Sequence, residues 1–123
     1  MFSTTQQFGF AVEAQVCKYL VARGLRLIVA NYSCRAGEID LIMQDADTLV
    51  FVEVRYRNHD GYGGALESVT KNKQRKIIAT AKSYLLDCGL WEKVPCRFDA
   101  VIVQSEATGE GRVCWVKDAF WLS

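Results

Sequence analysis

Apolar residues near the start of the chain recur every three or four positions. Phe8, Val12, Val16, Tyr19 and Leu20 would share one face of a helix over residues 5–23, and Gly24 supplies its stop. The pattern then changes to a run rich in Leu, Ile and Val over 25–33, which predicts a strand. Two further strands are predicted at 38–43 and 48–56, separated by the polar, hairpin-length stretch Gln44-Asp45-Ala46-Asp47. Turn-forming residues fill Asn58-His59-Asp60-Gly61-Tyr62-Gly63-Gly64, so this segment reads as a loop. Helical spacing returns over 70–87, with Ile77, Ile78, Ala81 and Leu85 on one face, Thr70 placed to cap the start and Cys88-Gly89 to end it. A strand at 97–104, a turn at Thr108-Gly109-Glu110-Gly111 and a last strand at 112–117 complete the chain. The order α-β-β-β-α-β-β predicts an α/β fold, a central mixed sheet flanked by helices. No repeat, low-complexity tract or linker divides it, so residues 1–123 are expected to form one domain.

Composition narrows the class. Hydrophobic residues make up 50% and charged residues 24%, as in a soluble globular protein with a core large enough to need no staples. The five cysteines are odd in number and widely spaced, with no Cys-x-x-Cys pair, which argues against a zinc ribbon and a disulfide framework. Free thiols fit a reducing compartment. The first residues lack the basic start and apolar run of a signal peptide, and no apolar stretch approaches the ~20 residues that span a bilayer. A cytoplasmic protein without a membrane partner is expected. The net charge of +1 does not announce a nucleic-acid binder, so any such footprint must be local. One cluster qualifies, Lys71, Lys73, Arg75 and Lys76 on the first turns of the second helix, although such a run is also what a solvated helix face looks like.

Two strands carry acids inside apolar runs: Gly37-Glu38-Ile39-Asp40-Leu41-Ile42 and Phe51-Val52-Glu53-Val54-Arg55. A carboxylate placed there is costly unless it is solvated or paired. Strand alternation puts Glu53 and Arg55 on one face and Val52 and Val54 on the other. If Ala46-Asp47 is a two-residue loop, Asp45 pairs with Thr48 and Asp40 falls opposite Glu53, with Cβ atoms ~4.5–5.5 Å apart. Two carboxylates that close repel, and either a proton or a cation must lie between them. A hard divalent ion such as Mg²⁺ suits oxygen ligands of this kind. The competing reading is structural: Asp40 at a wetted strand end, Glu53 paired with Arg55, Arg57 or a helix lysine.

Other signals carry less. Gly61-Tyr62-Gly63-Gly64 lacks the lysine and flanking strand of a phosphate-binding loop. His59, the only histidine, has no partnered nucleophile and reads as a loop residue. Trp91, Trp115, Phe120 and Trp121 read as core, with a self-association patch of Trp115, Phe120 and Trp121, and hence a homodimer, as the alternative.

Taken together, these residues resemble the UPF0102 (YraN-like) family of small bacterial proteins, within the restriction-endonuclease-like superfamily. The resemblance runs over nearly the whole chain. It includes Glu13, Tyr19-Leu20, Gly24 and Asn31, the Gly-Glu-Ile-Asp-Leu-Ile and Phe-Val-Glu-Val strings, Lys73 and Arg97-Phe98-Asp99. The superfamily's motif is an Asp, then a Glu or Asp, one spacer and a Lys. Asp40 and Glu53 match its acids, and Arg55 stands where the lysine would be. Arginine stays protonated and cannot serve as a base, but it can offset charge on a phosphate. The resemblance implies a restriction-endonuclease-like fold and metal-dependent phosphodiester hydrolysis in DNA, on branched or damaged structures. Asp40, Glu53 and Glu13 would hold Mg²⁺ or Mn²⁺, Arg55 would stabilise charge, and Lys73 would stand in for the missing lysine. Lys71, Lys73, Arg75, Lys76 and Arg57 would contact nucleic acid. A binding module that keeps the fold and cleaves nothing is the alternative, and a protein-interaction subunit would suit the near-zero net charge.

Overall fold

In the computed structural model, which describes residues 4–57, 69–105 and 111–120, the elements follow the expected order: α1 (Thr4–Ala22), β1 (Arg26–Cys34), β2 (Gly37–Asp45), β3 (Thr48–Arg57), α2 (Lys71–Asp87), β4 (Cys96–Ser105) and β5 (Gly111–Val116). Each boundary lies within two residues of the one read from the sequence pattern. Both helix stops are as local as the sequence suggests. Gly24 and Gly89 take left-handed φ values of +101° and +72°. Just beyond each, Leu25 N–H donates to Leu20 C=O at 3.1 Å and Leu90 N–H to Leu85 C=O at 2.8 Å, the 6→1 bond of a Schellman cap. At the start of α2, Thr70 Oγ1 accepts the Lys73 N–H at 3.1 Å.

The five strands form one sheet in the order β1-β2-β3-β4-β5. β1, β2 and β3 run antiparallel as a meander, β3 and β4 are parallel, and β5 returns antiparallel to β4. A parallel pair needs a crossover, and α2 supplies it. Central β3 is covered on both faces, which is why it reads as an almost unbroken apolar run. Leu49 and Phe51 point to the core under α2, with Ile77, Ala81 and Leu85. Val50 and Val52 point to the core under α1, with Val12, Val16 and Leu20. The result is a helix–sheet–helix sandwich, the α/β, restriction-endonuclease-like arrangement expected.

Two residues expected in the core are exposed instead, Trp91 at 38% and Phe8. Phe8, expected on the buried stripe of α1, is half exposed. Its ring meets Tyr56 instead, itself exposed, so the stripe runs past the covered part of the sheet. Of the suggested self-association patch, Phe120 is buried and stacked on Phe98, while the Trp115 indole N–H is committed to Asp99 at 2.9 Å. These two side chains serve the fold rather than an outer patch. Trp121, His59, the loop at 58–64 and most of the turn at 108–110 lie outside the described residues. No helix among those described is long and apolar enough to cross a membrane.

One buried charge ties β2, β4 and β5 together. Asp99 is fully buried and accepts bonds from Arg97 Nε, Trp115 Nε1 and the Asp118 N–H, all within 3.2 Å. Arg97 reaches on to Asp45 at 3.0 Å, at the hairpin end of β2. Breaking a buried pair strands the remaining partner, at a cost of about 3–5 kcal/mol. Asp99→Ala is therefore expected to lower the urea-unfolding free energy by that amount. A loss below about 1 kcal/mol would show that the cluster does not hold the strands.

Candidate metal and nucleic-acid site

The hairpin register begins as counted from the sequence. Asp45 pairs with Thr48, and the ladder proceeds regularly to Leu41↔Val52. There it stops, one step short of the expected Asp40–Glu53 pair. On the other side, the pairing of β1 with β2 passes from Ala30↔Leu41 to Tyr32↔Ile39, across Asn31 and Asp40. Asn31 is left-handed there, with φ of +56°, a conformation that asparagine tolerates better than other side-chain-bearing residues. The inward alternation of β2 also slips: Ile39 and Ile42 pack on the α2 side, Leu41 and Met43 on the α1 side. Asp40 sits at the slip. Its Oδ2 accepts the Val54 N–H at 2.8 Å, taking the place of a strand carbonyl. Gly37 opens this strand because the backbone passes close over α2. A Cβ there would stand 3.1 Å from Thr80 Oγ1, and its φ of +154° disfavours other residues.

Asp40 is the hub of three carboxylates, within hydrogen-bonding reach of Glu13 from α1 and Glu53 from β3. Glu53 is only 4% exposed. Two cations flank it, Lys73 Nζ at 3.6 Å and Arg55 Nε at 3.8 Å from Oε1. These distances make ion pairs but are too long for good hydrogen bonds. Burial pushes the Glu53 carboxyl up to about 7, with the Asp40 charge adding to the rise and Lys73 and Arg55 opposing it. Glu13 is also raised to about 7, by burial first and then by the Asp40 charge, while Asn31 pulls it back. Asp40 is raised by burial against the Val54 N–H and Lys73.

The donor set bears on whether an ion fits. Glu13 Oε1 is buried and has no hydrogen-bond partner, an orphaned acceptor near the Asp40 and Glu38 carboxylates. Three acids that would rather hold protons than face one another form the chemistry a hard dication relieves. Among the described residues, however, no group of three or more His, Cys, Asp or Glu side chains is drawn together as a ready-made cage. A few carboxylates in an open site suit Mg²⁺ or Mn²⁺, which keep several waters, and do not suit closed four-ligand zinc. Glu13, Asp40, Asn31 and Glu38 line a cleft of about 410 Å³, and Phe10 forms part of its wall.

The basic residues separate. Lys73 turns toward Glu53, whereas Lys71, Arg75 and Lys76 stand exposed on the first turns of α2. Arg57 ends β3 on the same face as Arg55 and Glu53 by alternation. The residue whose part in the site the sequence pattern did not expose is Asn31. Its one signal was a polar residue prone to left-handed backbone, set in an apolar strand opposite the Gly-Glu-Ile-Asp string.

The raised carboxyls make a pH prediction. Glu13 and Glu53 hold protons more tightly folded than unfolded, so their contribution to stability is full below about pH 4.5 and is lost as pH rises toward 7. In EDTA, the melting temperature of the protein is expected to fall between pH 5 and pH 8. Glu13→Gln should flatten that fall and be the more stable protein at pH 8. Parallel profiles for the two proteins would show that Glu13 does not carry the strain.

The profile described as "Uncharacterised protein family UPF0102" matches residues 12–103, which contain Glu13, Asp40, Glu53, Arg55 and Lys73. A "UPF0102 protein" of Stutzerimonas stutzeri is 49% identical over 119 residues, covering 96% of this chain and 98% of the relative. Those of Nitrosococcus oceani and Pseudomonas syringae pv. syringae are 48% and 47% identical over 118 residues, again covering 96% of this chain, and 94% and 96% of the relatives. On a profile match across most of the chain and near-full-length relatives at this identity, the chain belongs to the UPF0102 family.

Proposed function

We propose that this protein is a metal-dependent nuclease that hydrolyses phosphodiester bonds in DNA, with branched or damaged structures as its targets. The observation that carries the reading is Asp40, within hydrogen-bonding reach of Glu53 on one side and Glu13 on the other where β2 and β3 part, with Lys73 and Arg55 beside Glu53. Asp40 and Glu53, with Glu13, would hold Mg²⁺ or Mn²⁺. Such an ion, when bound, polarises the phosphate and lowers the pKa of a water. The chain's own groups supply the rest. The Val54 N–H fixes the Asp40 carboxylate, so that its orientation is set before any ligand arrives. Arg55 and Lys73 place two positive charges where a phosphate would gain negative charge. Lys73 reaches Glu53 from α2, a route by which an ammonium takes the place that Arg55 denies to the motif lysine.

The start of α2 supports an anionic partner. Its first turn holds Lys71 and Lys73 and no acid, which runs against the helix dipole. A helix tolerates that conflict where it gains something from an anion. Lys71, Arg75, Lys76 and Arg57 would bind phosphates without reading sequence. The second reading, a binding module that does not cleave, is favoured by one observation: Glu53 already has two cations at 3.6 and 3.8 Å, Arg55 among them.

Purified protein incubated with branched, single-stranded and duplex DNA in Mg²⁺, Mn²⁺ or EDTA separates the readings. Metal-dependent cleavage that Asp40→Ala abolishes, and that Lys73→Ala lowers about 10²-fold or more, is the expected result. Salt-sensitive binding without cleavage establishes the module instead. In parallel, Mg²⁺ at pH 8 is expected to raise the melting temperature of the protein but not of Asp40→Ala. An equal shift in both would remove Asp40 as an ion ligand.

A further inference from the structure

We propose that the exposed ring pair of Phe8 and Tyr56, at the end of β3 near the carboxylates, is a stacking platform for an unpaired base; the substrate is then single-stranded nucleic acid, or the unpaired stretch of a flap or junction. This deepens the nuclease reading and rests on it for the identity of the polymer. Among the described residues, four large aromatic side chains are exposed, and two of them meet here, Phe8 at 50% and Tyr56 at 41%. Trp91 lies under Lys82 at the far end of α2. Phe10 lines the carboxylate cleft together with Glu13 and Asp40. Phe8, two residues from Phe10 and so on another face of α1, meets the Tyr56 ring edge-on at 4.9 Å.

The end of β3 divides these groups by chemistry. Alternation sends Glu53, Arg55 and Arg57 to the α2 side, where Lys73 joins them, and sends Val54 and Tyr56 to the α1 side, where Phe8 lies. One rim of the site is therefore cationic and the opposite rim aromatic, with the carboxylates between. A nucleotide has the matching halves, a phosphate and a base, and only an unpaired base can turn its face to a side chain. Intact duplex keeps its base faces stacked inside and would meet the aromatic rim with sugar edges alone. Base–aromatic stacking is tolerant of sequence, in keeping with the non-specific phosphate contacts proposed for α2.

The test is binding in EDTA, by fluorescence anisotropy of the full-length protein on a labelled single strand and on the same sequence as a duplex, at one fixed low salt. Tighter binding of the single strand is expected. Phe8→Leu and Tyr56→Leu, which keep apolar bulk but remove the ring, should each weaken single-strand binding about 5- to 150-fold and leave duplex binding within about twofold; Tyr56→Phe should restore it. A single strand carrying 2-aminopurine should lose fluorescence on binding, and lose less with the Leu variants. Because the ion is removed, the platform and the nuclease are judged apart. Ring-dependent binding by a protein that never cleaves keeps the platform and discards the enzyme. Cleavage by a protein whose single-strand affinity ignores the rings overturns the platform. Equal losses on both oligonucleotides, no binding to either, or a change in sedimentation showing that the rings join two copies of the chain also overturn it.

Discussion

The hydrogen bond from the Val54 N–H to the Asp40 carboxylate organises the acidic end of the sheet. A backbone donor in a sheet must be paired, and its ordinary partner is a carbonyl of the next strand. Here β2 and β3 stop pairing after Leu41↔Val52, and a side chain completes the edge instead. The substitution does two things at once. It satisfies Val54, and it pins an acid at a depth where an acid is costly. Glu53 follows from strand alternation and Glu13 from the packing of α1, so both are delivered to a point that Asp40 already occupies. Loss of the bond would leave a buried donor orphaned and the central acid unfixed.

A site of this kind is a net burden on the fold. Three carboxyls with raised pKa oppose folding at neutral pH, and the basic first turn of α2 opposes its own dipole. The compensation comes from the same strands. The apolar run of β3 is covered on both faces, and Asp99 locks Arg97, Trp115 and the backbone of Asp118 together. Arg97 also clamps Asp45, at the opposite end of β2 from Asp40. Asp45 and Arg97 reinforce the hairpin end of the sheet, and Asp99, level with Val52, lies one step from Glu53. The acidic end includes the C-terminal end of β3, one of the parallel pair, where open α/β sheets present ligands.

How much of this was legible depends on how local the cause is. Element order, the Asp45–Thr48 register and the stops at Gly24 and Gly89 follow from neighbouring residues, and the sequence pattern predicts them to within two residues. Asp40 and Glu53 stood out because an acid in an apolar strand is anomalous wherever the strand lies. What the pattern could not reveal is set by tertiary contact. Counting outward in register puts Asp40 in a regular pair with Glu53, but the left-handed turn at Asn31 and the slip between Ile39 and Leu41 end the ladder first. Phe8 obeys the helical stripe, yet the exposure of Tyr56 beside it shows that the sheet's cover does not reach so far. Periodicity reports which face is apolar, not where the neighbouring element stops.

Two cations of different chemistry, Arg55 and Lys73, face Glu53 from different elements. An ammonium on a flexible stem can approach a carboxylate closely and trade protons; a guanidinium offers a fixed fork that remains charged. Arg55 therefore keeps the electrostatic part of the motif and drops any proton-transfer part. Lys73 arrives at the same carboxylate from a different element, at 3.6 Å against 3.8 Å. It can do so because the Thr70 cap starts α2 just before it and because Gly37 lets that helix lie close against β2. An ammonium from the helix and a guanidinium from the strand thus both lie within ion-pair range of Glu53. A residue's place in a motif is then less informative than the atom it faces, and the atom that both cations face is Glu53 Oε1.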